Sequence, residues 1–186
     1  MIRGTDSERQ TVKMLKENIA DDKDVFLDCY IPRLSGNYAQ ADVIWISSIG
    51  IIVFEIKDYT GFIYGKETDL NWIQSLKCGR RKFKFYNPIM QNNTHIEALK
   101  QTFPDIPVYS VIVFFGGAIF KSKRIPNVLY CWELIKNLKT LTDTLPIYKY
   151  KNKGKIRNIL ALYQKNGNNK EIRTKHLLLA RQFKQG

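Results

Sequence analysis

Glu55 and Lys57 stand two residues apart at the end of Gly50-Ile51-Ile52-Val53-Phe54, the stretch that reads most plainly as a buried strand. Residues i and i+2 of a strand project to one face, so a carboxylate and an amine are delivered together while Ile56 points the other way. Upstream, Asp42 opens a second apolar, β-branched run, Ala41 to Ser47. The short connection Ser47-Ser48-Ile49-Gly50 predicts an antiparallel hairpin whose facing residues have numbers summing to roughly 97, which sets Asp42 opposite about position 55. Facing like charges destabilise a sheet, and a bound cation would remove the repulsion. Two carboxylates and an amine converging at a strand end can hold a hard divalent cation through oxygen while the amine faces a water and a phosphate oxygen. That is chemistry suited to a phosphodiester. Glu55-x-Lys57 alone has a plainer reading as a solvated ion pair at a sheet edge, so the inference leans on Asp42. Asp58, on the opposite face, reads as a solvated residue without a role.

The elements that must position these groups follow from periodicity and turn residues. Val12, Leu15 and Ile19 recur at helical spacing over Thr5 to Asp21, and Thr5-x-x-Glu8 has the form of a capping box. Glu8 shares the inward stripe of that helix. Val25 to Ile31, Ala41 to Ser47 and Ile51 to Lys57 predict a β-meander, and Gly61 to Gly65 reads as a further strand. Lys66 to Arg81 is polar and irregular around Trp72 and predicts a further hairpin, and Lys82 to Tyr86 is a short run that alternates basic with aromatic residues. Asn87-Pro88 is a helix start, with Asn as cap and Pro in the first turn, and the helix stops at Pro104. Val108 to Phe115 is a buried strand closed by Gly116-Gly117, and Val128 to Cys131 is another. Helices follow over Trp132 to Thr140, Ile156 to Lys165 and Lys170 to Phe183.

The totals set bounds. A chain of 186 residues with 44% hydrophobic composition is long enough for a core, and its apolar runs fall short of the roughly 20 residues a membrane helix needs. With no apolar leader at the polar N-terminus, the expectation is a cytoplasmic protein with no membrane partner. Cys29, Cys78 and Cys131 form no CxxC pair, which argues against a disulfide framework and a cysteine zinc site. The formal net charge is +13, and its distribution is uneven. Residues 149–186 carry eleven Lys or Arg against Glu171 alone, a balance of +10, while the first 148 residues hold nineteen against sixteen, or +3. The reading is a domain over 1–148 followed by a basic, helical extension over 149–186, packed on the domain or appended to it. Lys151, Lys153, Lys155 and Arg157 of that extension are candidates for nucleic-acid backbone contacts, unless the segment is merely a solubilising surface. Arg80, Arg81, Lys82 and Lys84, interleaved with Phe83 and Phe85, form a second candidate surface, where cations meet phosphates and aromatics stack on bases. The plainer alternative buries the two phenylalanines in a core.

Taken in order, Gly4-x-x-x-Glu8, Gln40-Ala41-Asp42, Phe54-Glu55-Ile56-Lys57-x-Tyr59-x-Gly61, Trp72 and Asn87-Pro88-x-x-Gln91-Asn92-x-x-His95-x-x-x-Leu99 resemble the nuclease-related (NERD) domain family, a branch of the PD-(D/E)xK restriction-endonuclease-like superfamily. The resemblance spans roughly residues 4 to 115 and departs from the family pattern at Ser7 and Ala41 without removing a charge. It implies an α/β fold of mixed type, a restriction-endonuclease-like core with a central mixed β-sheet flanked by helices. It further implies a metal-dependent deoxyribonuclease in which Asp42 and Glu55 ligate Mg²⁺ or Mn²⁺ with the backbone carbonyl of Ile56. Lys57 would orient the attacking water and offset phosphate charge, and Gln91 would touch a phosphate or water. Glu8 would meet the metal or its water, or act as the capping-box acid. For His95 the expectation is a packing or hydrogen-bonding role. DNA is the implied partner, and cutting both strands of a duplex would call for two sites, hence a homodimer. Two other classes stay open: a nucleic-acid-binding module that keeps the fold without turnover, and a protein-interaction domain whose basic tail meets an acidic partner.

Overall fold

The computed structural model describes residues 4–76 and 79–182. Cys78 of the cysteine count and Phe183 at the end of the last expected helix lie outside the described residues. In chain order the elements are α1 (Asp6–Asn18), β1 (Val25–Pro32), β2 (Tyr38–Ile46), β3 (Ile51–Asp58), β4 (Gly61–Tyr64), β5 (Asn71–Leu76), β6 (Arg81–Tyr86), α2 (Pro88–Thr102), β7 (Val108–Phe115), β8 (Ala118–Phe120), β9 (Val128–Tyr130), α3 (Leu134–Thr144), α4 (Lys153–Asn166) and α5 (Lys170–Gln182). Among the described residues this is a mixed α/β protein with two mixed sheets and five helices, the arrangement of a restriction-endonuclease-like core.

The larger sheet has the order β1-β2-β3-β7-β9. Its first three strands form the expected antiparallel meander, and the β2–β3 register runs from Val43↔Phe54 to Ile46↔Ile51, the predicted sum of 97. From β3 onward the pairing is parallel, Ile51↔Val108 to Asp58↔Phe115. Gly50 makes that crossing possible: at φ 141° its ideal Cβ would stand 2.3 Å from the Pro107 carbonyl oxygen, a conformation and a closeness open only to glycine. Each face of the sheet is covered by helices. On one side Ile44, Ile46, Ile51 and Val53 pack with Ala98 and Leu99 of α2, with Phe103 just after it, and with Ile156, Leu160 and Tyr163 of α4. On the other, Val43, Ile52, Phe54 and Val113 pack with Leu15 of α1 and with Leu134 and Leu138 of α3.

The smaller sheet, β6-β5-β4-β8, occupies the connection between β3 and α2. The stretch 66–81 that reads as an irregular hairpin contains one full strand among its described residues, β5, whose antiparallel partner is the following strand β6. Trp72, only 1% exposed, organises it by stacking on Phe114 of β7 at 6.2 Å and donating from Nε1 to the Lys66 carbonyl oxygen at 2.9 Å. The tail also differs from expectation in detail. α4 begins at Lys153 instead of Ile156, because the Asn152 side chain caps it by accepting from the Lys155 N–H at 2.9 Å. Its lower face is core, and Gln164 and Asn166 bond the main chain of β1 at Leu27 N (3.0 Å) and Tyr30 O (3.1 Å).

Candidate active site

The hairpin register that joins β2 to β3 ends at Val43↔Phe54, one step before Asp42 and Glu55. There the main-chain ladder gives way to a side chain: Asp42 Oδ2 accepts the Ile56 N–H at 2.7 Å. Asp42 is 9% exposed and Glu55 1%, so two carboxylates are withdrawn from water within each other's field. Burial pushes the Asp42 carboxyl well above the ordinary range for aspartate, and the Glu55 and Glu8 charges push it further. Glu55 is raised too, by burial first, with Lys57 pulling it back. Lys57 Nζ donates to Glu55 Oε1 at 2.6 Å and to Gln91 Oε1 at 3.0 Å. Burial alone would lower the Lys57 pKa, but the Glu55 carboxylate overcomes it and holds the ammonium charged. Lys57 therefore carries a fixed positive charge and has no lone pair with which to take a proton. Gln91 comes into reach because Asn87 caps α2, its Oδ1 accepting the Ile89 N–H at 2.9 Å, while its Nδ2 ties the helix start to the carbonyl oxygens of Glu67 and Asp69.

Glu55 Oε2 is buried and receives no hydrogen bond. His95 Nδ1 lies 3.7 Å away, beyond hydrogen-bond length. Asn92 directs both amide hydrogens elsewhere, to Val53 O at 2.9 Å and Ser110 Oγ at 2.7 Å, so its Oδ1 is left to accept from His95 Nδ1–H at 3.2 Å. Burial, then Lys57, lowers the His95 pKa to about 3. The imidazole is thus a neutral hydrogen-bonding and packing group, the role its sequence position suggests. An unpaired buried carboxylate oxygen beside a second buried carboxyl is costly unless something positive meets it, and the donor set suits a hard divalent cation. Among the described residues no three His, Cys, Asp or Glu side chains cluster closely enough to hold an ion by themselves. A cation here would take the two carboxylates, the Ile56 carbonyl oxygen and water.

Glu8 forms both halves of the capping box: Oε2 accepts the Thr5 N–H at 3.0 Å, and Thr5 Oγ1 accepts the Glu8 N–H at 3.3 Å. The Gly4-x-x-x-Glu8 spacing has a steric cause, since at φ 72° an ideal Cβ on Gly4 would lie 2.7 Å from that same Oε2. Ser7 donates from Oγ to Asp58 Oδ2 at 2.6 Å. Asp58 is exposed, as expected, but it has a role that the sequence did not suggest: it pins α1, with Glu8, to the end of β3.

Sequence reasoning missed Asp28. It lies in β1 at φ 55°, 9% exposed, at the break in a register that flanks it with Leu27↔Val43 and Cys29↔Ala41. That places it across from Asp42, with Gln40 Nε2 donating to its Oδ1 at 3.0 Å and its charge helping to raise the Glu8 pKa. The only signal in the sequence is one acid inside the apolar run Val-Phe-Leu-Asp-Cys-Tyr-Ile. Of the candidate nucleic-acid contacts, Arg80, Arg81, Lys82, Lys84, Lys151 and Lys155 are exposed. Lys153 and Arg157 instead grip the buried Asp24, Nζ to Oδ2 at 2.6 Å and Nε to Oδ1 at 2.7 Å. Phe85 packs on Tyr59, whereas Phe83 is 49% exposed. No described helix is long and apolar enough to cross a membrane.

Comparison with known proteins meets this geometry. Residues 3–115 match the model of the family described as the nuclease-related domain, a family within the PD-(D/E)xK superfamily. The chain is also similar to an "Uncharacterized protein" of Bacillus anthracis, 34% identical over 113 residues, which are 58% of this chain and 52% of that one. It thus spans about half the length of that relative. The matched residues include α1, the β1–β3 meander, the smaller hairpin and α2, and so all of Glu8, Asp42, Glu55, Lys57 and Gln91: the chain belongs to the nuclease-related domain family.

Proposed function

We propose that this chain is a divalent-metal-dependent nuclease that hydrolyses DNA phosphodiester bonds, with Mg²⁺ or Mn²⁺ held by Asp42, Glu55 and the Ile56 carbonyl. The observation that carries the reading is Glu55 Oε2, buried without a hydrogen bond beside a second carboxyl that burial has made reluctant to ionise. When bound, the cation supplies charge that polarises the scissile phosphate and favours ionisation of water. The chain's own residues supply orientation. Lys57, kept charged by Glu55 and aimed by Gln91, presents a preorganised donor to the phosphate oxygens, where negative charge grows as water adds and the ester oxygen leaves. The His95 Nδ1–H is committed to Asn92 Oδ1 and is not given to Glu55 Oε2, which leaves that oxygen free for a cation.

Cleavage of linear, nicked, branched and single-stranded DNA with Mn²⁺ tests the reading. The wild-type chain is expected to cut, and Asp42→Asn and Lys57→Ala to lose about 100-fold or more; equal turnover by the three proteins would overturn it. One observation favours a second reading, a nucleic-acid-binding module without turnover: Lys57 already pairs with Glu55, and burial holds the Asp42 carboxyl toward its neutral form. Calorimetry that finds no Mg²⁺ or Mn²⁺ binding, with salt-sensitive DNA binding intact, selects the module.

A further inference from the structure

In β6 the pleat sends Phe83 and Phe85 to one face and Lys82, Lys84 and Tyr86 to the other. Trp72 pairs with Phe85, and Ile63, Trp72, Phe85 and Phe120 face inward onto Phe114 and the larger sheet. The alternate residues therefore face out. They form rows across the strands: Ile119↔Phe62↔Ser75↔Lys82, then Tyr64↔Ile73↔Lys84, with Tyr86 opposite Asn71 beyond them. Tyr64 is 40% exposed, Tyr86 44% and Ile119 48%, an unusual concentration of rings and apolar surface on an outward sheet face. None of these outward residues is acidic. Positive charge frames them: Lys82 and Lys84 are exposed at one end of the rows, and Lys121 Nζ sits 4.5 Å from the Phe62 ring centroid at the other. A cleft of about 650 Å³ opens between Tyr64, Ile73, Ser75, Gly79, Arg80 and Lys82.

From this we infer that the outer face of the smaller sheet is a docking platform for single-stranded DNA, with Tyr64 and Tyr86 stacking on bases and Lys82, Lys84, Arg80 and Lys121 meeting phosphates. Rings give every base a π-face to stack on, and lysines at the ends of the rows neutralise the backbone. A duplex hides its base faces and gains only the lysines, so the platform discriminates by strandedness and not by sequence. An acidic protein partner would use the lysines but would leave the rings without a reason to be exposed together. The inference rests on the nuclease reading for the class of ligand alone.

Fluorescence anisotropy of the full chain with labelled oligo-dT and with a duplex of the same length, both in EDTA, tests it. Tyr64→Ala is expected to weaken oligo-dT binding by roughly 5- to 100-fold and to leave duplex binding nearly unchanged. Tyr64→Phe restores the affinity, which a packing defect common to both variants would not allow. Lys82→Ala with Lys84→Ala lowers the slope of log affinity against log salt by roughly 0.7 per lysine. The inference is overturned if Tyr64→Ala binds oligo-dT as the wild type does, if oligo-U binds more tightly than oligo-dT, or if the wild type is a dimer that Tyr64→Ala dissociates. Failure of the hydrolysis reading would leave these EDTA affinities unchanged. Failure of the platform would leave the cleavage rate at saturating DNA unchanged, so the two are separable.

Discussion

At the scale of single residues, the site stores repulsion. Asp42 and Glu55 are buried in each other's field, and folding presses both carboxyls toward their neutral forms. A group whose proton affinity rises on folding loses stabilisation as pH climbs. In chelator, these two carboxyls should therefore withdraw stabilisation from the wild-type chain as pH rises above about 4, and Asp42→Asn, which keeps an oxygen for the Ile56 N–H, should remove its share of that slope. At neutral pH in EDTA the variant should unfold later, by on the order of 1 kcal/mol. With Mn²⁺ at about 100 times its Kd the wild type should gain about 2.7 kcal/mol that the variant does not. Thermal melts across pH, with and without Mn²⁺, check both arms. Gly4→Ala probes the other carboxylate: the added methyl meets Glu8 Oε2 at a positive φ, so a loss of about 1–2 kcal/mol through the broken capping box is expected in the same melts. Much at this scale could be read from the chain. The facing of Asp42 and Glu55 follows from the length of a turn, and the approach of Gln91 from a helix start at Asn87-Pro88. Asp28 could not be read so, because its left-handed backbone and its place across from Asp42 come from a register break that no local pattern encodes.

Among the elements, α4 shows how charge and packing divide one helix. Its sequence is conspicuous for lysines, yet Ile156, Leu160 and Tyr163 enter the core, and Lys153 with Arg157 holds Asp24, itself 3% exposed. Removing both cations with Lys153→Ala and Arg157→Ala would strand a buried carboxylate, and a loss of about 2–4 kcal/mol is expected. The single change Asp24→Ala should cost less, because the two cations reach solvent. Urea titration of the two variants checks the order. The positions of the helices and strands were legible from periodicity, and β5 was blurred because its only strong anchor is Trp72. The ion-pair grip on Asp24 was not legible, since its members are more than a hundred residues apart and every one of them has an ordinary surface reading.

Across the whole molecule, the family match stops at residue 115, but the core does not. Three buried side chains of α4, each worth about 1.5–3 kcal/mol, amount to a large share of the 5–15 kcal/mol that holds an ordinary domain together. A chain ended at residue 148 is therefore expected to show no cooperative melt and to lose near-ultraviolet circular dichroism. A sharp transition for that fragment would show that the basic segment is an appendage after all. The contacts of Gln164 and Asn166 with β1 carry this further. β1 is the last strand on its side of the sheet, and these two amides occupy main-chain positions that would otherwise recruit a strand from another molecule. Leu27 and Gln164 are 137 residues apart, and at the usual pace of translation that interval lasts roughly 7–30 s. For that time a nascent copy carries an unpaired strand edge beside its neighbours on the polysome, an exposure to misassembly that ends only when α4 has been synthesised.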